Sequence, residues 1–260
     1  MSQRHEGESL SLWQNTEPMP TFAPLHSDMN ADICVVGGGI AGLTTAYLLM
    51  KEGKSVVLIE DFELACGQSG RTTAQFTTCL DERYFELEKY HGQKGAQLAA
   101  ESHHAAIEKT REIIKNENID CESTDVDGYL FAPHKDRNIL EKELAAINRV
   151  GLIGIEMIAE SPLDFTGPCL HFSNQLQLHP VKYLKGLTEK LVIGGVKIFT
   201  RTRATEFKGG AKAVVKTSHG FEIRCQAVVV ATHTPVNDIV AIHTKQAPYR
   251  TYVLPLEFPN

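Results

Sequence analysis

The sequence lacks several features that would narrow its function at once. It has no run of 18 apolar residues, so no segment is expected to cross a membrane. It has no C-x-x-C pair among its six cysteines, Cys34, Cys66, Cys79, Cys121, Cys169 and Cys225. It has no excess of positive charge: 26 Lys and Arg against 32 Asp and Glu leave a net charge of −6, which gives no electrostatic reason to expect nucleic acid as a partner. Residues 1–30 carry no apolar core of a secretory leader, so a cytoplasmic location with reduced thiols is expected. No internal repeat or low-complexity tract is visible. Cys169-Leu170-His171 is half of a Rieske ligand pattern, but no cysteine here begins the matching C-x-x-H. Half a ligand set cannot hold two irons, so no metal site is expected.

What remains is ordinary in bulk. The 260 residues, 42% hydrophobic and 22% charged, suit a globular chain of one large or two modest domains. Residues 1–30 read as an extended arm anchored by Trp13 and Phe22. "ADICVVG" is a short apolar run of the kind a strand buried on both faces requires. "IAGLTTAYLLMKEG" has helical spacing and stops at Gly53, and "KSVVLIE", residues 54–60, is a second buried strand. Residues 32–60 therefore form one βαβ unit. Residues 61–80 read as a loop. A helical stretch follows from about Glu82 to Glu117, split by Gly92 and Gly95. Strands are expected near 127–132, 154–158 and 169–173, with a helix from Asp136 to Val150 between the first two. A helix opens at Pro180, and strands follow at "VKIFT", "ATEFK", "AVVKTS", "FEIRC" and "AVVVAT", separated in part by the hairpin turns "KGGA" and "SHGF". A further strand is expected in "YRTYVLPLEF".

The strongest motif joins the first strand to its helix. Gly37-Gly38-Gly39-Ile40-Ala41-Gly42 fits G-x-G-x-x-G. Gly37 allows the tight turn, Gly39 lets a pyrophosphate approach the backbone, and Gly42 lets the helix pack on the strands. The helix N-terminus, opened by Ile40 and Ala41, turns its positive dipole end toward the phosphates. Glu60, 18 residues past Gly42 at the end of the next strand, can accept both hydroxyls of an adenosine ribose and would repel a 2′-phosphate. These residues disfavour NADP but leave NAD and FAD open. The segment "CGQSGRTTAQ", residues 66–75, then tilts the balance. Its short hydroxyl side chains, Ser69, Thr72 and Thr73, can lie along an extended ligand, and Arg71 can neutralise a phosphate.

Four stretches in order, "DICVVGGGIAGLTTAYLLMKEGKSVVLIE", "GQSGRTTAQ", "QLHPVKYLKGL" and "VVVATHTP", resemble the FAD-dependent oxidoreductases of the D-amino acid oxidase and glycine oxidase type. The nearest resemblance is to a bacterial subgroup with a C-terminal Rieske domain. The resemblance spans residues 10–258 and implies an α/β fold. A Rossmann-like FAD-binding domain, a doubly wound parallel sheet with a β-meander, would occupy residues 31–117 and 176–240. Part of an α+β substrate domain would occupy 118–175 and 245–260. It implies that Gly37, Gly39 and Gly42 contact the pyrophosphate and Glu60 the ribose. Gly70, Arg71, Thr72 and Thr73 would lie along the phosphate and isoalloxazine side, and Ala204 at the adenine edge. Ala231 and Thr232 match a strand-end A-T-G whose glycine is His233 here.

The implied reaction is oxidation of a C–N bond in an amino acid or related amine, by hydride transfer to flavin N5. A neutral amine needs no catalytic base, and no catalytic side chain is assigned. Arg250 is a candidate partner for a substrate carboxylate. His179 is read as a helix-start residue. His103 and His104, adjacent on a helix, point about 100° apart and cannot share a metal. The family's chains run longer, so this sequence is expected to be the N-terminal half of a flavoprotein. The alternatives are a non-catalytic nucleotide-binding fragment and an NAD-dependent dehydrogenase.

Overall fold

The structure is a computed structural model that describes residues 10–132, 137–160, 167–210, 212–233 and 236. The strand expected at 249–258, the segment 245–260 and Arg250 lie outside the described residues. The chain divides into two compact units, one of residues up to 20 with 65–194, the other of residues 21–64 with those from 195 onward. These divisions differ from the boundaries drawn from the sequence at 117/118 and 175/176. Two of the helices that the sequence suggested for the nucleotide-binding part group instead with the antiparallel strands of the first unit.

The second unit carries the βαβ motif. Strand β2 (Ile33–Val36) runs into α2 (Ile40–Lys51), which returns to β3 (Val56–Ile59). They form a parallel sheet in the order β12-β2-β3-β8, with β8 at Lys197–Phe199 and β12 at Ala227–Val230. A second sheet, β1-β11-β10-β9, is built from β1 (Met29–Asn30), β9 (Ala204–Lys208), β10 (Ala213–Thr217) and β11 (Glu222–Cys225). Alternation of side chains explains the layering. Cys34, Val36, Val57 and Ile59 meet Val215, Ile223 and Cys225 of the meander in one buried cluster. Val35 and Leu58 point to the opposite face, where Leu43, Ala46 and Tyr47 of α2 are also buried. The hairpin β9-β10-β11 follows the expected turns, with a bulge between Lys216 and Thr217.

The first unit is a sheet centred on β7 (Cys169–Gln177), flanked by β5 (Thr124–Phe131) on one side and by β6 (Ile155–Ile158) and β4 (Gln75–Phe76) on the other. Helices α3 (Tyr84–Glu117), α4 (Arg137–Val150) and α5 (Pro180–Ile193) complete it. Ala96, Ala100, Leu140, Ala146, Ile147 and Val150 pack with Leu130, Leu170 and Phe172 of the strands.

Four expectations change in detail. The arm is not wholly extended: Leu12–Thr16 form a short helix, α1, closed by a capping box between Ser11 and Gln14. Only Gly92 breaks α3, with φ of 70°, whereas Gly95 stays helical. The loop 61–80 contains a 3-10 turn at Gln68–Arg71 and the strand β4. Strand β7 continues past 173 because Gln175 and Leu176 are buried despite the polar local sequence. No described helix is long and apolar enough to cross a membrane.

Two packing features set stability. At Gly42 a β-carbon would overlap the carbonyl oxygen of Gly37 and lie 2.9 Å from its carbonyl carbon, so α2 approaches β2 only through this glycine. At the start of α3, Glu143 reaches from α4 and accepts from the amides of Tyr84 (3.0 Å) and Phe85 (3.3 Å). Glu143 is 1% exposed, and burial pushes its carboxyl up, opposed by those two amide donors. It therefore caps in trans a helix whose own N-cap residue, Arg83, supplies no side-chain acceptor. Replacing Gly42 by Ala is expected to cost about 3 kcal/mol by overpacking. Gly209, with no atom within 4 Å of its β-carbon position, serves as the control; Gly209→Ala should shift stability by less than about 1 kcal/mol. Urea denaturation of the two variants checks the contrast. In the same assay Glu143→Ala should cost about 2–3 kcal/mol, because two amides lose their acceptor.

Candidate functional site

In the second unit the glycine turn, the end of β3 and the end of β12 converge. The Gly37 amide donates to the Ile59 carbonyl at 2.9 Å, so the turn leaves β2 while still bonded to β3. Gly37 has φ of 119°, and a β-carbon there would lie 2.5 Å from the Ala231 carbonyl oxygen. Both conditions demand glycine. Gly39 is the extended N-cap residue of α2, and its carbonyl accepts from Leu43 at 2.9 Å. The first turn of α2, from Ile40 through Ala41 and Gly42, carries no acidic residue that would offset the helix dipole. Ala231 donates to the Val36 carbonyl at 2.8 Å, continuing the β12 register. Its β-carbon comes within 3.6 Å of the β-carbon position at Gly42, and the Thr232 nitrogen lies 3.4 Å from that at Gly37. The predicted residues Gly37, Gly42, Ala231 and Thr232 are thus brought together, with Gly39, Ile40 and Ala41 on the same turn.

Glu60 stands beside them. Its Oε2 accepts from the Gly38 amide at 2.6 Å and its Oε1 from the Phe62 amide at 3.0 Å. Burial pushes its carboxyl above the ordinary value, with the Phe62 and Gly38 amides acting in the opposite direction. Each oxygen keeps lone-pair capacity for a further donor. Gly38 was assigned no role from the sequence. A β-carbon there would lie 2.5 Å from Leu64 Cδ2 and 3.2 Å from two carbons of Glu60, so the residue must be small for the carboxylate to seat. Ala204 opens β9, 7% exposed. Two residues earlier the Thr202 amide donates to the Glu60 carbonyl at 2.8 Å, which brings the start of β9 to the Glu60 end of the sheet.

In the first unit Gly70 and Arg71 end the 3-10 turn, and Thr72 and Thr73 follow it. Gly70 is buried; a β-carbon there would overlap the Ala65 carbonyl oxygen and lie 2.6 Å from Gln14 Nε2. The Arg71 guanidinium donates to the Cys66 carbonyl. The Thr72 carbonyl accepts from Trp13 Nε1 at 2.9 Å, and Thr73 is exposed. Trp13 therefore anchors the arm through a directed bond as well as by packing. The only local signal for this arrangement was the spacing Ser11-x-x-Gln14.

Other residues singled out from the sequence have structural places. His179 is the N-cap of α5: its Nδ1 accepts from the Lys182 amide at 3.2 Å. Cys169 is buried in β7, and His171 stacks on Tyr129 at 5.3 Å between centroids. His103 and His104 are exposed on α3. All six cysteines are free.

The geometry of the second unit fits a dinucleotide pyrophosphate and ribose: a backbone cradle that admits no side chain, and a half-buried carboxylate next to it. Residues 32–259 match the family model described as FAD dependent oxidoreductase, DAO. The chain is 32% identical over 251 residues to a candidate Rieske 2Fe-2S iron-sulfur protein, YhfW, of Bacillus subtilis, covering 95% of this chain and 49% of that protein. It is 27% identical over 228 residues to the gamma-glutamylputrescine oxidoreductase of Escherichia coli, covering 84% and 53%. Among solved structures, an L-amino acid deaminase from Proteus myxofaciens in complex with anthranilate is similar with a TM-score of 0.62 and 21% identity, covering 81% and 47%. That likeness shows the fold. The chain spans about half the length of the curated relatives it matches. With a family match across most of its length, the chain belongs to the DAO family of FAD-dependent oxidoreductases, whose cofactor is FAD.

Proposed function

We propose that the chain binds FAD through the glycine turn and Glu60, and that it serves oxidation of a C–N bond in an amino acid or related amine. The observation that carries the reading is the Gly37–Gly42 approach with the Glu60 carboxylate beside it. Bound FAD would supply the two-electron acceptor that no amino-acid side chain provides.

The chain's own residues then bind and orient. The backbone of Gly37, Gly39, Ile40, Ala41 and Gly42 would receive the pyrophosphate at the positive end of α2. Glu60 would accept the two ribose hydroxyls with its remaining lone pairs and would exclude a 2′-phosphate. Ala204 would meet the adenine edge, and Ala231 and Thr232 would flank the turn. Gly70, Arg71, Thr72 and Thr73 would serve the phosphate and isoalloxazine side, with Arg71 the cationic member. On this reading the unit built on residues 21–64 and from 195 onward carries the adenosine and pyrophosphate. Substrate class follows from the names of the relatives, a gamma-glutamylputrescine oxidoreductase and an L-amino acid deaminase. A Rieske domain elsewhere in a longer protein is proposed from the name of the Bacillus relative. A reducing, cytoplasmic compartment is consistent with six free cysteines.

The test is reconstitution of the purified chain. It should retain FAD and show visible flavin absorption, and NAD should not displace it. Anaerobic addition of amino acids or amines should bleach that absorption. Glu60→Ala should weaken FAD binding at least about tenfold, the equivalent of 1.4 kcal/mol. Protonation of Glu60 removes its acceptor charge, so wild-type affinity should fall as pH is lowered. Because burial raises this carboxyl, the loss should be centred above 4.5, the ordinary glutamate value. A chain that retains no FAD, or binds NAD in its place, would overturn the assignment.

A further inference from the structure

We infer that a β-bulge at Thr200–Thr202 aims Glu60 at the ribose, and that Thr202 is the positioning residue that holds the bulge in shape. The inference rests on the preceding reading that Glu60 receives the ribose hydroxyls. Every residue in it belongs to the second unit.

The parallel pairing of β3 with β8 sets Ile59 opposite Phe199, so Glu60 falls opposite Thr200. The Glu60 amide keeps that register and donates to the Phe199 carbonyl at 2.9 Å. An evenly spaced parallel ladder would next give the Glu60 carbonyl the amide of Arg201. It accepts from Thr202 instead, at 2.8 Å, while the Arg201 amide turns to the Phe62 carbonyl at 2.9 Å. One extra residue therefore stands on the β8 side, which makes the step a bulge. Arg201 is that residue, and its φ of 49° is left-handed. Bulges are rare in parallel pairs, and they collect beside active sites, where they re-aim a side chain.

The side chain re-aimed here is Glu60. The bulge holds the carbonyls of Glu60 and Phe62. Between those two carbonyls lies the Phe62 amide, which donates to Glu60 Oε1 at 3.0 Å. Fixing the peptides on either side fixes the direction of that donor, and with it one carboxylate oxygen. The Gly38 amide holds the other oxygen at 2.6 Å. Two residues past Thr202, β9 opens at Ala204, so the same bulge sets the spacing between the ribose residue and the adenine-edge residue.

A left-handed residue that carries a side chain persists only where its surroundings over-determine it. Thr200 and Thr202 supply that closure, at 0% and 1% exposed. Thr202 Oγ1 accepts from the Leu25 amide at 3.0 Å and donates to the Thr200 carbonyl at 2.9 Å, spanning Arg201. Thr200 Oγ1 donates to the Phe22 carbonyl at 2.7 Å. The Arg201 guanidinium pairs with Glu63 and donates to the same Phe22 carbonyl at 2.6 Å. That ion pair is exposed and contributes little. The buried hydroxyls therefore carry the bulge, and Arg201 matters through its backbone.

FAD affinity of full-chain variants tests the idea. Thr202→Val keeps the side-chain shape and loses the hydroxyl, and should raise the FAD dissociation constant about tenfold. Thr202→Ser keeps the hydroxyl and should stay within about threefold of wild type. Arg201→Gly takes positive φ freely and should also stay within about threefold. Arg201→Val, β-branched and opposed to positive φ, should weaken FAD about tenfold. In a Glu60→Ala background Thr202→Val and Arg201→Val should each add less than about twofold, because their effect runs through Glu60. Without FAD, the Phe62 amide should exchange hydrogen faster in the two valine variants than in Thr202→Ser and Arg201→Gly. Equal weakening by the valine variants in both backgrounds, no weakening at all, or unchanged exchange at Phe62 would overturn the role of the bulge and leave the cofactor assignment standing. If Thr202→Val does not fold, the two Arg201 variants decide through the same cycle. If the wild-type chain retains no FAD, both readings fall.

Discussion

The carbonyl of Gly37 sits where any β-carbon on Gly42 would have to go. That one close approach governs the second unit. It brings α2 down onto β2 and β3, which buries Leu43, Ala46 and Tyr47. It leaves the helix N-terminus open at the end of the parallel sheet, with no acidic side chain to offset its dipole. It also lets Ala231, at the end of β12, close against the same turn. On the proposed reading, packing and ligand geometry here are one constraint, because the bare backbone that lets the helix approach would also make room for a pyrophosphate.

Buried and half-buried polar groups do the finer positioning. Glu60 is seated by the amides of Gly38 and Phe62, Glu143 caps α3 from a neighbouring helix, and Gln175 accepts from Thr77 and Thr78 at 2.9 and 2.7 Å. In each case a side chain satisfies backbone or hydroxyl donors that the local chain leaves without an acceptor. Such groups are costly to bury alone and specific once paired, which makes them effective in fixing loops. The residues of α1 and its N-cap do the reverse for the 65–72 loop: Ser11, Trp13 and Gln14 donate to the carbonyls of Gly70, Thr72, Ala65 and Cys66.

Much of the second unit was legible in the order of residues. The apolar runs of β2 and β3, the spacing of α2 and the glycine turn are all local patterns, and the hairpins of the meander followed from "KGGA" and "SHGF". The misses share a cause. Gly38 received no role because its constraint comes from Leu64 and Glu60, 26 and 22 residues away in the chain. The end of β7 lay beyond the strand expected near 169–173 because Gln175 is buried by partners on another segment. Gly92 and Gly95 looked alike, yet only Gly92 takes a left-handed conformation.

The sequence by itself determined the βαβ unit, the glycine turn and the acid at the end of the second strand, since these depend on periodicity and on spacing within some 30 residues. Those features, with the three later motifs, were enough to point to FAD. Only the tertiary structure decided that α1 exists as a helix bonded to the 65–72 loop, that Gly38 holds Glu60, and that α3 and α5 group with the antiparallel sheet. Those outcomes depend on which distant donors and acceptors meet when the chain is compact, and no local pattern encodes that.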